Sequence, residues 1–417
     1  MEKTDDTLLS DCRVLDLTDE KGFLCGRILG DIGADVIKVE PPGGTPARNI
    51  GPFYQDIPHP EKSLYWFAYN ANKRGITLNI ETADGREIFK RLAQTANIII
   101  ESFDLGYLDS LGIGYQALAQ DYPDIIMVSI SPFGQTGPYK DYEAPDIIAA
   151  AMGGNMYVTG EPDRAPLRIS SPQAYLHAGA TAAVAALIAY YHCRNTGDGQ
   201  HVDVSIHESM ISFSANIAPF AYMLQKNLKR CGIFREGVVG NALIRLLWPC
   251  KDGYILFSAM GTPTGAKSNQ ALMKAMENDG LAEPLKSLNW DGFDRRSANR
   301  ETQQKIEAAI APFFLNHTKE ELLKLAIDEE IMLLPVSTPA ELLGSNQLET
   351  RGFWTEVEHP EVGEAIVYPG AFVRSSEGCC NIRRRAPLIG NHNEEIYLGE
   401  LGFTREELVM MKEAAII

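Results

Sequence analysis

Between residues 13 and 131, short runs of branched aliphatic residues alternate with helical stretches, and this alternation constrains the fold more than any other feature of the 417-residue chain. Arg13 to Leu17, Asp35 to Glu40, Gly75 to Asn79, Ile98 to Glu101 and Ile125 to Ser131 each read as a short buried strand. Helical stretches at Gly22 to Ile32, Asp84 to Ala93 and Gly114 to Gln120 separate them. Parallel neighbours require a crossover long enough to hold a helix, and strands covered on both faces are apolar without strict alternation. The pattern predicts an α/β fold whose large domain is a Rossmann-like parallel sheet with helices on both faces.

Pro41-Pro42-Gly43-Gly44 ends the second strand and predicts a long surface loop to about Ser63. Ala174 to His192 reads as a long buried helix. From about Lys226 the pattern changes to a strand at Tyr254 to Ser258 with helices at Asn269 to Glu277, Gln303 to Phe314 and Lys319 to Ile327. A chain of this length exceeds the usual single domain. The expected division is residues 1–225 as the first part of the large domain, 226–335 as a smaller α+β domain, and 336–417 as a return to the large one. The return carries a hairpin, Trp354 to Glu358 with Ala365 to Pro369, and a helix capped by Thr404.

Fifty-five acidic against 38 basic residues give a net charge of -17, which excludes nonspecific attraction to nucleic acid or an anionic membrane. An anionic substrate then needs a local basic pocket. Met1 to Ser10 carries Glu2, Asp5 and Asp6 and lacks the basic start and apolar stretch of a signal peptide, so the cytoplasm is the expected compartment. The apolar run Ala178 to Ala189 is shorter than the ~20 residues that span a bilayer. Seven cysteines, odd in number and without a CxxC pair, read as reduced thiols rather than a disulfide framework or a zinc site, and no metal is expected.

Five stretches occur in a telling order: DIGADVIKVE (Asp31 to Glu40), NKRGITL (Asn72 to Leu78), LGIGY (Leu111 to Tyr115), FGQTGPY (Phe133 to Tyr139) and GDGQHVDVS (Gly197 to Ser205), with RAPLIGN (Arg385 to Asn391) near the end. In this order they resemble class III coenzyme A transferases, the formyl-CoA, crotonobetainyl-carnitine and bile-acid type, and the similarity runs essentially end to end. The resemblance implies an enzyme that moves CoA between two carboxylic acids, with a CoA thioester as substrate and no tightly bound cofactor.

An Asp after a proline is ordinarily a helix N-cap. Asp146, however, stands where the family has its nucleophile, shortly after FGQTGP and before an apolar helix and the pair Gly153-Gly154. A carboxylate suits this exchange because a thioester attacked by an acid gives a mixed anhydride, which a thiolate reopens. The expected course is an aspartyl anhydride followed by an aspartyl-CoA thioester on Asp146. Developing oxyanions call for donors worth about 3 to 4 kcal/mol, and the Gln135 side chain and backbone amides near Gly134, Gln135 and Gly153 are candidates.

For CoA itself, the resemblance points to Lys73 and Arg74 of the NKR motif, to Gly22 at the head of the first helix, and to Phe103 against the pantetheine arm. Gly237 and Gly240 stand where related enzymes have a mobile loop over the aspartate. Arg383, Arg384 and Arg385 read as a solvated charged edge. Aromatic and apolar residues from Phe213 to Leu224, including Phe220, Tyr222 and Met223, serve equally as core or as a pocket for a bulky acyl group.

Three features depart from the family. Asp104 in ESFDLG stands where a cation is common, Pro132 replaces a glycine before FGQTGP, and DEKGF (Asp19 to Phe23) lacks the usual glycine-proline pattern. These changes fit a full transferase that binds CoA by other groups and equally the less active subunit of a heteromeric one. A racemase on the same fold needs His before this Asp and a second Asp about thirty residues on; Pro145 and Tyr175 occupy those places, which disfavours it. A CoA-dependent lyase is the other enzymatic alternative. The DEKG wording resembles the benzylsuccinate branch, which implies a succinyl-CoA donor and an aryl-substituted succinate acceptor. Family members form interlocked dimers, so a homodimer, or a heteromer with a related subunit, is expected.

Overall fold

The computed structural model describes residues 7–213, 217–236, 243–293 and 300–417. The chain divides into two compact units, one of residues 1–154, 169–214 and 346–417, the other of residues 155–168 and 215–345. The change-overs fall at 214/215 and 345/346, and the 155–168 stretch goes with the second unit.

The first unit is built on six parallel strands: β1 (Arg13–Asp16), β2 (Asp35–Glu40), β3 (Lys73–Thr77), β4 (Ile98–Glu101), β5 (Ile126–Ser131) and β6 (Gln200–Ser205). They lie in the order β3-β2-β1-β4-β5-β6. This order reverses direction between β1 and β4, and the crevice at such a point, beyond the carboxyl ends of the strands, is where open α/β sheets bind ligands. Val14, Ile37, Ile76, Ile99 and Val128 are fully or almost fully buried, as expected for strands covered on both faces.

The crossovers are helical. They include α1 (Phe23–Asp31), α2 (Leu64–Asn70), α3 (Ala83–Ala93), α4 (Tyr107–Ser110) and α5 (Tyr115–Asp121), followed by α6 (Asp146–Met152), α7 (Ala174–Thr196) and α8 (Ile206–Phe213). The predicted long loop to Ser63 contains two 3₁₀ turns, Pro46–Asn49 and Tyr54–Asp56, and α2 follows directly because the Ser63 hydroxyl accepts the Trp66 amide. β3 begins two residues earlier than the sequence pattern suggested, since Lys73 and Arg74 enter the sheet.

α1 packs closely because two of its glycines leave room: a Cβ on Gly22 would sit 2.4 Å from Thr18 Cγ2, and one on Gly26 2.3 Å from Asp16 Oδ2. α7 is the one described helix long and apolar enough to cross a membrane, yet Ala178, Gly179, Ala182 and Ala186 are buried within the first unit. The sequence reading of a buried helix holds for that face alone, because Val184, Ile188 and Tyr191 are 58%, 65% and 73% exposed.

The sheet rests on a buried charged layer. Lys38 and Asp16 are direct partners on neighbouring strands, and Lys73 Nζ joins them, 2.7 Å from Asp16 Oδ2 and 2.9 Å from both the Phe23 carbonyl and Asn70 Oδ1. Burial alone would raise the Asp16 pKa, but the Lys38 and Lys73 ammonium groups outweigh it and hold the carboxyl at about 2. Arg48, wholly buried, forks onto Glu40 at 2.8 and 2.7 Å, reaches Glu61 at 2.9 Å, and stacks 3.7 Å from the Trp66 ring centroid.

The return segment completes the first unit. Its hairpin pairs Trp354–His359 with Glu364–Pro369, and its last helix, Arg405–Glu413, starts from a Thr404–Glu407 capping box. The second unit holds a three-stranded antiparallel sheet of Leu247–Cys250, Gly253–Phe257 and Leu333–Pro335. Helices Pro263–Asn278, Arg300–Asn316 and Lys319–Asp328 cover it around a core that includes Trp248, Phe257, Phe313 and Phe314.

Candidate active site

Asp146 is the first residue of α6, and its carboxylate is held from a distance in sequence. The Tyr175 amide donates to Asp146 Oδ1 at 3.2 Å. Tyr175 is the second residue of α7, where backbone amides lack intrahelical partners, and Gln173 at the N-cap supplies no side-chain acceptor. The carboxylate therefore caps α7 rather than its own helix. Burial, with the Glu20 and Asp146 charges adding to it, pushes the Tyr65 and Tyr175 phenols upward, while burial pulls His177 down against the opposing pull of Asp146. Burial likewise raises Glu20, and Asp19 beside it adds to the effect.

Pro145 and Tyr175, on either side of Asp146, line a cavity of about 450 Å³ together with Lys21, Phe103, Lys140 and Tyr142. Lys21 is paired with Asp19, whereas Lys140 has no ion-pair partner among the described residues. The rings of Phe133, Tyr139 and Tyr142 cluster at this rim, with centroids 5.2 to 6.4 Å apart.

A second cavity, of about 530 Å³, opens at the carboxyl ends of β1 to β4, where the strand order reverses. Thr18, Asp19, Glu40, Glu81 and Tyr107 are among its walls, and no lysine or arginine is among the described residues that line it. Ser102 and Phe103 belong to both cavities, so the segment after β4 is their common wall. A smaller space of about 80 Å³ lies alongside, lined by Glu101, Asp104, Ser129, Gln135 and His201 among others.

The structure thus brings Phe103 and the flanks of Asp146 together. Gln135 lines the space of about 80 Å³ rather than the cavity beside Asp146, and its backbone N–H donates to Asp203 Oδ2 at 2.9 Å. Gly22 is the N-cap of α1, pressed against Thr18. Lys73 is wholly buried with its ammonium spent as described, and Arg74 is engaged by Asp35, Glu395 and Glu400; neither lines any of the three cavities. Gly237 and Gly240 lie outside the described residues. Phe220, Tyr222 and Met223 fall on the helix Ile217–Leu224 of the second unit, with Tyr222 and Met223 strongly exposed. Among the described residues no cluster of three or more His, Cys, Asp or Glu side chains is arranged to hold a metal ion.

Sequence reasoning did not pick out Lys140, Tyr142, Tyr65 or Glu20. Lys140 and Tyr142 were within reach, lying between FGQTGP and Asp146; Tyr65 reaches the site only through the packing of α2.

The comparisons with known proteins agree in kind. The family model for CoA-transferase family III matches residues 9–393. The chain is 35% identical over 399 residues to the succinyl-CoA:(R)-benzylsuccinate CoA-transferase subunit BbsE of Thauera aromatica, covering 95% of each chain. It is 31% identical to the succinyl-CoA–D-citramalate CoA-transferase of Chloroflexus aurantiacus, covering 98% of each. Among solved structures, a CaiB/BaiF family protein from Brucella suis superposes with a TM-score of 0.81 at 28% identity, over 94% of this chain and 99% of that one. With the six-stranded parallel sheet and the family match along nearly all of its length, the chain belongs to CoA-transferase family III and is a CoA-transferase.

Proposed function

We propose that the chain moves CoA from succinyl-CoA to an aryl-substituted dicarboxylic acid through covalent intermediates on Asp146. The observation that carries this reading is the Asp146 carboxylate fixed by the Tyr175 amide between two residues that wall a cavity at the sheet's carboxyl edge. The Asp146 carboxylate attacks the thioester carbonyl and expels the CoA thiolate, leaving a mixed anhydride. The thiolate then attacks the Asp146 acyl carbon, releasing the donor acid and leaving an aspartyl-CoA thioester. The acceptor carboxylate attacks that thioester, and the thiolate it frees opens the second anhydride, which restores Asp146. Lys140 is the group suited to an acid's second carboxylate, and the Phe133, Tyr139 and Tyr142 rings suit an aryl substituent. The benzylsuccinate relative supports that acceptor class.

A second reading is favoured by the cavity at the switch point, whose walls carry carboxylates and no described cation. CoA phosphates favour cationic partners. In this reading the chain works beside a related subunit that binds CoA more tightly; the BbsE relative and the L-malate CoA-transferase alpha and beta chains of Chloroflexus aurantiacus are named as subunits. The outward strip Val184, Ile188 and Tyr191 is the surface for such a second chain, alike or related. An interlocked dimer is the arrangement expected from the family.

The test incubates the purified chain with succinyl-CoA and traps with hydroxylamine or borohydride. Mass-spectrometric label on Asp146 supports the covalent route. No label with any competent donor, alone or beside the related subunit, sinks it; label only on the other subunit assigns the catalysis there.

A further inference from the structure

The wall shared by the two large cavities is fastened from behind by Glu101, the last residue of β4, which is 6% exposed. Glu101 Oε2 accepts the Phe103 amide at 2.8 Å. Ser129 is the direct partner of Glu101 on β5, and the Ser129 hydroxyl is the side-chain group that most opposes the effect of burial on the carboxyl. Ser129 Oγ in turn lies 2.8 Å from His201 Nε2 on β6, where the Tyr115 ring stacks on the imidazole at 5.3 Å and 17°. One hydroxyl stands between a carboxyl and an imidazole, and it has a single hydrogen to give.

That constraint allows two arrangements. With Glu101 ionised, Ser129 donates to the carboxylate and accepts Nε2–H of His201. With Glu101 protonated, its O–H donates to Ser129, Ser129 donates to a bare Nε2, and the neutral imidazole carries its hydrogen on Nδ1. We infer that Glu101, Ser129 and His201 form a one-proton relay across three strands, in which the ionisation of Glu101 sets the His201 tautomer and tightens or loosens the 102–105 wall. Glu101 is then a positioning residue for the transfer, a role that rests on the function proposed above.

Burial pushes the Glu101 carboxyl up to about 7, against the hydrogen bonds from Ser129 and Phe103 and the charge of Lys21, while Asp109 adds to the rise. Burial pulls His201 down, opposed by Asp203 and Asp109, which favours the neutral imidazole. Asp104, Tyr107 and Tyr115 complete the ionisable groups on the small space between them. A neutral carboxyl is the weaker acceptor for the Phe103 amide, which is how the proton reaches the wall.

The test uses the full chain labelled with ¹⁵N in its eight histidines, His201 being assigned by its loss in His201→Gln. Long-range ¹H–¹⁵N spectra should show protonated Nε2 at pH 8.5 exchanging for protonated Nδ1 as the pH falls through about 7. Glu101→Gln, whose amide donates to Ser129, should hold the low-pH tautomer throughout, and Ser129→Ala should abolish the switch. A single tautomer from pH 6 to 9 in the unaltered chain, or a switch that survives Ser129→Ala, overturns the relay. In the transfer assay kcat/KM should rise on the order of tenfold from pH 6 to 8, mainly through KM for the acyl-CoA, within the ~100-fold that an ångström of misplacement costs. Glu101→Gln should stay flat at the low-pH level; a profile unchanged by that substitution overturns the positioning role. Loss of the function reading, seen as no transfer by any form of the enzyme, leaves the tautomer measurement to decide the relay.

Discussion

Lys73→Met separates two roles for the NKR motif. Met matches the length of the lysine stem but removes an ammonium that makes contacts of 2.7 to 2.9 Å with Asp16, the Phe23 carbonyl and Asn70. Lys38 still faces Asp16, at 3.1 Å, so the carboxylate keeps one cation, while Phe23 and Asn70 each lose a buried donor. Breaking a buried ion pair by removing one partner costs about 3 to 5 kcal/mol. In a unit of this size each kcal/mol lowers the melting temperature by roughly 2 to 4 °C, so a fall of about 10 °C is expected. The assay is thermal unfolding by circular dichroism, with KM for succinyl-CoA measured well below the transition. Adding Asp16→Asn should deepen the loss, because the buried Lys38 ammonium then faces no carboxylate among the described residues. A Lys73→Met protein that melts within ~2 °C of the parent while its KM rises tenfold would refute this reasoning and return Lys73 to CoA binding.

Arg48→Lys should cost about 3 kcal/mol in urea unfolding, since one ammonium cannot replace a buried fork that joins Glu40 and Glu61 and stacks on Trp66. Asp146→Ala should abolish transfer with CoA binding largely intact and lower stability by only ~1 kcal/mol, the worth of a cap on the Tyr175 amide. Glu101 has its pKa raised by folding, from 4.5 to about 7, so the stability it contributes is full below the unfolded value and lost as the pH rises through the folded one. The gap between the parent chain and Glu101→Gln should therefore move by about 3 kcal/mol in favour of the variant from pH 4.5 to 7.5; equal urea midpoints at both ends would exclude it.

The parallel sheet was legible because branched aliphatic strands buried on both faces announce themselves locally, as Ile98 to Glu101 and Ile126 to Ser131 do. β3 was placed two residues late for the opposite reason: Lys73 and Arg74 look like solvated loop until Asp16, Asp35 and Glu400 are found around them, and those partners come from distant segments. The sequence pattern names no element at α2, because its aromatic side chains gain their meaning only from Phe23 and Arg48 against Trp66. At the site, Asp146 stood out through its flanking motifs. The amide that holds it belongs to Tyr175, 29 positions on, and the hydroxyl between Glu101 and His201 lies on a different strand from either. No local window contains such triads.

The return segment fastens the opposite edge of the sheet. The Pro387 carbonyl accepts both Arg48 and Trp66, the latter 321 positions earlier, the Tyr397 hydroxyl donates to the Thr77 carbonyl, and the Asn79 amide is taken up by Ile416. Synthesis must therefore pass through the entire second unit before the edge strand β3 acquires these covering partners. A nascent chain carries that edge half-finished for more than three hundred residues, long enough at ~5 to 20 residues per second for an unpaired strand to meet another chain. Chaperone dependence during expression, relieved when the return segment is supplied in trans, is the biosynthetic signature of that topology.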